Sequence, residues 1–230
     1  MTVLYEDNHI IAVSKTCNEL VQGDKTGDEC LIDMVKQYLK VEHNKPGNVF
    51  LGLPHRLDRP TSGVVLFAKT SKALVRLNEM FQKHDAIQKI YWAITATPPI
   101  PAEGMLEHYL IRREEENKSY VAKPDKTGNY SKQAKRACLL YKTLSHTDRY
   151  TLVQVQLQTG RHHQIRCQLA AIGCPIKGDL KYGAKRSNPD GGISLHARSI
   201  SFVHPVSGQR LTITAPVPQD NLWKALTDYF

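Results

Sequence analysis

The sequence predicts an α+β fold: a mixed, mainly antiparallel central sheet flanked by helices. Three observations lead there. Apolar or alternating runs of strand length outnumber helical stripes, and several are joined by short polar turns in antiparallel fashion. A hydrophobic share of 41% over 230 residues is enough to build a real core. Helical stripes such as Leu31, Ile32, Val35 and Leu39, then Leu74, Leu77 and Phe81, fall between the strand-like runs and supply helices for the faces of the sheet. No phosphate loop or dinucleotide-type glycine fingerprint is present.

Taken in order, Val3-Leu4-Tyr5 and His9-Ile10-Ile11-Ala12-Val13 read as strands around the turn Glu6-Asp7-Asn8. A polar loop from Gly23 to Gly27 precedes a helix with Leu31, Ile32, Val35 and Leu39 at helical spacing and Asp28 placed to cap it. Asn44-Lys45-Pro46-Gly47-Asn48 breaks that helix and leads through Val49-Phe50-Leu51 to a dense polar stretch, His55-Arg56-Leu57-Asp58-Arg59-Pro60-Thr61-Ser62-Gly63. The buried strand Val64-Val65-Leu66-Phe67-Ala68 follows at once. Ser71 is placed to cap a helix whose apolar face is Leu74, Leu77 and Phe81. A strand from Ile87 to Ala96, ended by Pro98-Pro99-Ile100-Pro101, puts Lys89 and Tyr91 on one face.

Residues 112–136 carry Arg112, Arg113, Lys118, Lys123, Lys126, Lys132, Lys135 and Arg136, with a turn near Gly128. They read as a pair of edge strands or an extended excursion, either a basic arm for RNA or a solvated loop. Tyr150 to Gln158 alternates cleanly, with Val153, Val155 and Leu157 on one face, as in a half-buried antiparallel strand. In the second dense stretch, Thr159 to Gly173, the residues Ile165, Leu169 and Ile172 make a helical stripe that Gly173 ends. Arg161 sits at the entry of that helix and Arg166 in its first turns, off the stripe. A basic loop with Lys177, Asp179, Lys181 and Tyr182 leads to strands at 195–203 and 210–215, and a last helix near 219–229 presents Leu222, Leu226 and Tyr229. No repeat or linker composition divides the chain, so 1–230 is expected to be a single domain.

Charge narrows the partners. Thirty-one Lys and Arg against 22 Asp and Glu leave +9, an average field that attracts polyanions, nucleic acid first among them. No charge-free stretch is long enough to span a bilayer and the N-terminus has no leader pattern, so a cytoplasmic protein with no membrane partner is expected. Five cysteines, odd in number and without CxxC pairs, argue against a disulfide framework and a zinc site. His162 and His163, adjacent on a helix, would point about 100° apart and could not chelate one metal together. Ser62 lies seven residues from His55 with no orienting acid, which speaks against a serine hydrolase.

What remains is one carboxylate in exceptional company, Asp58, in a loop anchored to a buried strand. Asp179 is its nearest rival. If Arg166 approaches Asp58, the pair keeps the carboxylate ionised and oriented, which suits a nucleophile better than a general acid.

His-Arg-Leu-Asp-x-x-Thr-Ser-Gly at 55–63, Phe67-Ala68-Lys69-Thr70, Lys89-x-Tyr91, Gly160-Arg161-x-His163-Gln164-Ile165-Arg166 and Gly178-Asp179-x-x-Tyr182-Gly183 together resemble the RluA-type pseudouridine synthases, in the family's order and over nearly the whole chain. The resemblance implies the pseudouridine synthase catalytic fold and an isomerase that needs no metal or organic cofactor. In that reaction the N-glycosidic bond of a uridine breaks, the uracil turns while bound, and it rejoins the sugar through carbon 5. By resemblance Asp58 is the attacking aspartate, Tyr91 stacks on the flipped uracil and is placed to move the proton from carbon 5, and Arg166 pairs with Asp58. Arg56 enters the RNA where the uridine has left its stack, and His55, Arg59, Thr61, Lys89, Arg161, His163 and Lys181 are the further RNA-contact candidates.

A flipped base costs a few kcal/mol, and a stacking aromatic returns roughly 1–3 kcal/mol. One departure from the family pattern is Ser14-Lys15-Thr16-Cys17-Asn18, where many relatives have Asn-Lys-Pro, so the loop lacks a rigid proline. A second concerns the family's frequent N-terminal RNA-binding domain, expected to be absent from a single catalytic domain 1–230 because Met1 to Val13 already reads as part of the catalytic fold. The expected partner is transfer or ribosomal RNA and the expected state a monomer. The competing reading is an RNA-binding or RNA-folding factor whose catalysis is secondary or lost.

Overall fold

The computed structural model describes residues 1–23, 27–83 and 86–228; part of the polar loop between Gly23 and Gly27, and Tyr229, which the sequence reading assigns to the last helix, lie outside the described residues. In chain order the elements are β1 (Thr2–Glu6), β2 (Ile10–Lys15), α1 (Leu31–Glu42), β3 (Ser62–Ala68), α2 (Ser71–Gln82), β4 (Ile87–Thr95), β5 (Glu103–Arg113), β6 (Lys118–Val121), β7 (Lys135–His146), β8 (Thr151–Leu157), α3 (Gln164–Ala171), a short 3₁₀ turn (Leu180–Tyr182), β9 (Leu195–Val203), β10 (Arg210–Thr214) and α4 (Asn221–Thr227). The sheet pairing is mainly antiparallel and the class is α+β, as the sequence predicts. No helix among the described residues is long and apolar enough to cross a membrane.

Two compact units divide the chain: Met1–Lys89 with Ala197–Pro218, and Ile90–His196 with Gln219–Phe230. In the first, β1 pairs with β2 and β2 with β3, all antiparallel, in a register that sets Lys15 opposite Gly63. The first hairpin forms because the Asp7 carboxylate accepts the backbone N–H groups of His9 (2.7 Å) and Ile10 (2.8 Å), a side chain standing in for a turn. Asp28 does not cap α1. The N–H groups of Leu31 and Ile32 are taken by the carbonyls of Leu20 and Val21, so the orphan donors of the first turn are met by backbone. Asp28 instead pairs with Arg59 (3.1 Å). One residue before the expected position, Thr70 rather than Ser71 caps α2, its hydroxyl accepting the N–H of Ala73 at 3.2 Å.

β3 is buried at every position. Its second residue, Gly63, adopts φ +117, and a Cβ there would fall 2.3 Å from the carbonyl oxygen of Ala197 in β9. Only glycine allows that approach. Gly63→Ala is expected to destabilise the protein by about 1–3 kcal/mol through this backbone overlap, to be read from urea melts.

In the second unit β5 pairs with β7 and β7 with β8, burying Leu106, Leu139, Val153 and Val155 against Ile165 and Leu169 of α3. The basic stretch at 112–136 resolves into both expected forms. Arg112 and Arg113 end β5, β6 returns as a hairpin with Arg113 opposite Lys118, and an irregular excursion then leads to β7. That excursion is tied back by Tyr130, whose ring stacks on Tyr109 at 4.1 Å. Cys30, Cys138, Cys167 and Cys174 are buried thiols.

Candidate active site

Asp58 opens a tight turn just before β3: its carbonyl accepts the N–H of Thr61 at 3.0 Å. The turn is gripped from below by a residue that the sequence reading passed over. Lys15, the last residue of β2, is 1% exposed, and its ammonium donates to the carbonyls of Thr61 (2.7 Å), Arg59 (2.9 Å) and Thr16 (3.0 Å). Three N–H donors meet three carbonyls, so the ammonium ties the backbone that follows Asp58 to the end of β2. Asn18 completes the clamp. With φ +69 it turns the chain so that its N–H binds the Arg59 carbonyl (3.0 Å) and its own carbonyl accepts the Arg59 guanidinium (3.2 Å). The loop that lacks the family's proline is thus shaped by a left-handed asparagine and by hydrogen bonds. A signal for Lys15 was present in the strand pattern, because it continues the inward-facing series Ile11, Val13.

Burial holds the Lys15 ammonium down to about 8, while nearby acidic groups, Asp58 among them, oppose the shift. Between about pH 8 and the ordinary lysine value the folded protein has released a proton that the unfolded chain still binds. On this group's account stability therefore rises with pH across that window. Activity should move the other way. A neutral amine has two N–H groups for three carbonyls, so the rate is expected to fall above pH about 8. In Lys15→Arg, whose guanidinium does not titrate there, the alkaline limb should disappear; a limb that stays in place would exclude Lys15 as its source.

The other residues of the motif divide between support and surface. Nε2 of His55 accepts the N–H of Leu66 (2.9 Å), and its ring stacks on Phe81 of α2 at 4.7 Å. Burial, with a smaller contribution from the Lys89 charge, pushes this imidazole down to about 3, so it is neutral. His55 is a prop for β3. Thr61 is 2% exposed and its hydroxyl has no hydrogen-bond partner among the described residues. The Lys89 ammonium lies 6.0 Å over the Phe81 ring and is held below the usual lysine range by burial. Arg59 is committed to Asn18 and Asp28. Arg56, by contrast, is exposed and makes no hydrogen bond or ion pair among the described residues.

On the second unit, Tyr91 is half-buried in β4 and packs against the core that includes Ala93. Arg166 is buried and makes a bidentate pair with Asp179: Nε to Oδ2 at 2.7 Å and Nη2 to Oδ1 at 2.8 Å. Thus Asp179, the rival acid of the sequence reading, orients this arginine through one edge of its guanidinium. Asp58, the partner expected for Arg166, belongs to the other unit.

The polar residues of α3 are also structural. Gln164 accepts from the Thr159 hydroxyl (2.8 Å) and the Arg161 N–H (2.9 Å) and donates to the Cys138 carbonyl (3.0 Å). Gln168 donates to the carbonyls of Leu106 and Ala137. His163, in a left-handed conformation at the start of α3, is 8% exposed. Because His163 precedes the helix, its ring stacks on that of His162 at 3.7 Å instead of diverging as two helical residues would. Its Nδ1 meets the Tyr182 hydroxyl at 3.0 Å, and that hydroxyl also accepts the Ser119 N–H (2.9 Å) and donates to the Ser119 carbonyl (3.1 Å). With the phenolic proton spent on Ser119, Nδ1 must be the donor, which fixes the neutral tautomer. Burial, then the charge of Arg166, pushes His163 down to about 2, in agreement with a neutral ring. Arg161 is exposed, with Nε donating to the Arg136 carbonyl (3.0 Å), and the Lys181 ammonium caps the β5–β6 hairpin through the carbonyls of Glu116 and Asn117.

Residues 9–171 match the family model described as RNA pseudouridylate synthase. The chain is 34% identical to the ribosomal large subunit pseudouridine synthase C of Rickettsia felis over 94% of its own length and 67% of that protein's. It is 32% identical to the tRNA pseudouridine synthase C of Vibrio parahaemolyticus, covering 100% of this chain and 95% of that one. Among solved structures, human RNA pseudouridylate synthase domain containing 4 superposes with a TM-score of 0.79 at 26% identity, over 95% of this chain and 89% of that one.

Proposed function

The chain belongs to the RNA pseudouridylate synthase family, in its RluA-type branch, and from that premise we propose that Asp58 is the group with which it isomerises uridine in structured transfer or ribosomal RNA. The activity is that of an isomerase acting on RNA. The observation that carries the residue assignment is the span of the family match, which contains the clamped Asp58 turn, Tyr91 and Arg166 within residues 9–171.

In this reading Asp58, Tyr91 and Arg166 are the catalytic set. Tyr91 offers a face for the extruded uracil, and Arg166, aimed by Asp179, is the cation assigned to the reaction centre. Arg56, with its guanidinium uncommitted, takes the place the uridine vacates in the RNA. Arg161, Lys181 and Lys89 contribute positive charge along the RNA backbone, whereas His55, Arg59, Thr61 and His163 act by holding the loops that present the others. No metal or organic cofactor takes part. The 230 residues work as one catalytic domain, a monomer in the cytoplasm whose partner is RNA.

The test follows from the chemistry. As the bond from the sugar moves from N1 to carbon 5, the hydrogen on carbon 5 leaves for water and N1 gains a proton. RNA carrying tritium at carbon 5 of uracil should therefore release tritium on incubation with the protein. Transfer RNA and ribosomal RNA, offered separately, name the substrate class. Binding without release from either would instead favour an RNA-folding factor.

A further inference from the structure

The second unit holds a cavity of about 500 Å³ that the catalytic assignment leaves without a role. It lies between β6, α3 and the 3₁₀ turn, in the size range of small-molecule sites. Its walls have two chemistries. One is apolar: Val121, Ala170, Ala171 and Leu180, the last 58% exposed although it is a large hydrophobic residue. Cys167 extends this wall, since burial pushes its thiol up to about 11 and keeps it neutral.

The other wall is cationic. The ammonium of Lys118 lies 5.0 Å over the Tyr120 ring and 5.1 Å over the Tyr182 ring, and it has no hydrogen-bond acceptor and no carboxylate in ion-pair reach among the described residues. Glu116, whose carboxylate feels the Lys118 charge, is already taken by Arg113 and the Tyr120 hydroxyl. Lys181 on the opposite lip spends its ammonium on the carbonyls of Glu116 and Asn117, which braces the hairpin against the 3₁₀ turn. Behind the cavity Tyr182 is held by Ser119 and His163, and the Arg166 guanidinium lies 5.1 Å over its ring. The pocket is therefore rigid at the back, apolar along one side and supplied with one ammonium that lacks an anion.

We propose that this cavity seats a nucleotide of the RNA other than the target uridine, with its base against Leu180 and the alanines of α3 and its phosphate on Lys118. The inference rests on the proposed RNA reading. It commits to RNA because a lone ammonium beside an apolar wall matches a phosphate joined to a base, and the net charge of +9 favours a polyanion over an acidic peptide of low charge density.

The two halves of the site leave different signatures. The probe is a fluorescein-labelled single-stranded RNA of about 12 nucleotides, titrated with the full chain at several salt concentrations. Lys118→Gln should weaken binding about tenfold and lower the slope of log affinity against log salt by about 0.7, the loss of one phosphate contact on a single strand. Leu180→Ser should weaken binding by a similar factor while leaving the slope unchanged. With 4-thiouridine in the probe, crosslinks should map to Leu180–Tyr182 or to Tyr120. Unchanged affinity and slope in both variants would overturn the subsite, as would crosslinks confined to other segments. Variants that bind RNA normally but lose a co-purifying protein would replace it with a protein interface. Tritium release is read on the same preparations: release intact with no effect of the variants removes the subsite alone, whereas no release from any RNA by the unaltered chain removes the proposed function.

Discussion

Asp179→Ala is expected to destabilise the protein by about 3–5 kcal/mol, the cost of leaving a buried charge without its partner. Both side chains of the pair are buried, Arg166 at 6% and Asp179 at 1% exposure, and the contact is bidentate, so water cannot replace the lost carboxylate without opening the site. On a total stability of the usual 5–15 kcal/mol this is a large fraction, and a urea melt should show it directly. The cost is specific to the stranded charge. Adding Arg166→Met to Asp179→Ala removes the guanidinium as well and should recover at least half of the loss. Activity should not return with stability, because in the proposed mechanism Arg166 is needed at the reaction centre. A double variant as unstable as the single one would show that the loss does not come from the stranded Arg166 charge.

That pair shows where sequence reading stops. The period-2 and helical patterns located the elements well: the alternation at 150–158 became β8, the apolar run after Gly63 became β3, and the stripe Ile165, Leu169, Ile172 faces the core from α3 and its end. Local chemistry was less legible, since Asp28 looks like a cap and pairs with an arginine 31 positions away, while backbone carbonyls do the capping. His55 and His163 look like RNA contacts because a histidine beside arginines reads as surface. Their neutral rings are legible only once Leu66 and Tyr182 are known to lie beside them. Lys15 is the reverse case. Its inward position was written in the strand period, but a lysine at the end of a strand reads as solvated until three carbonyls are found around it. Arg166 and Asp179, 13 residues apart, share no pattern that spacing alone could pair.

Asp58→Asn should cut tritium release by at least about 10⁴-fold, in line with what removal of an attacking side chain costs other enzymes. The substitution is close to isosteric and keeps the Asp58 carbonyl that accepts the Thr61 N–H, so the turn, the Lys15 clamp and the fold should all persist. Stability should accordingly change by no more than about 1 kcal/mol, as for a polar replacement that is not fully buried. RNA affinity should be kept or increased, because one negative charge is removed from a basic surface facing a polyanion. These three readouts separate the roles open to Asp58. A group that only shapes the turn would lose stability before rate, and a group that only contacts RNA would lose affinity before rate. The catalytic assignment requires rate to collapse alone. Release of tritium at an undiminished rate by a stable Asp58→Asn protein would overturn it and send the search to Asp179, whose carboxylate is already committed to Arg166.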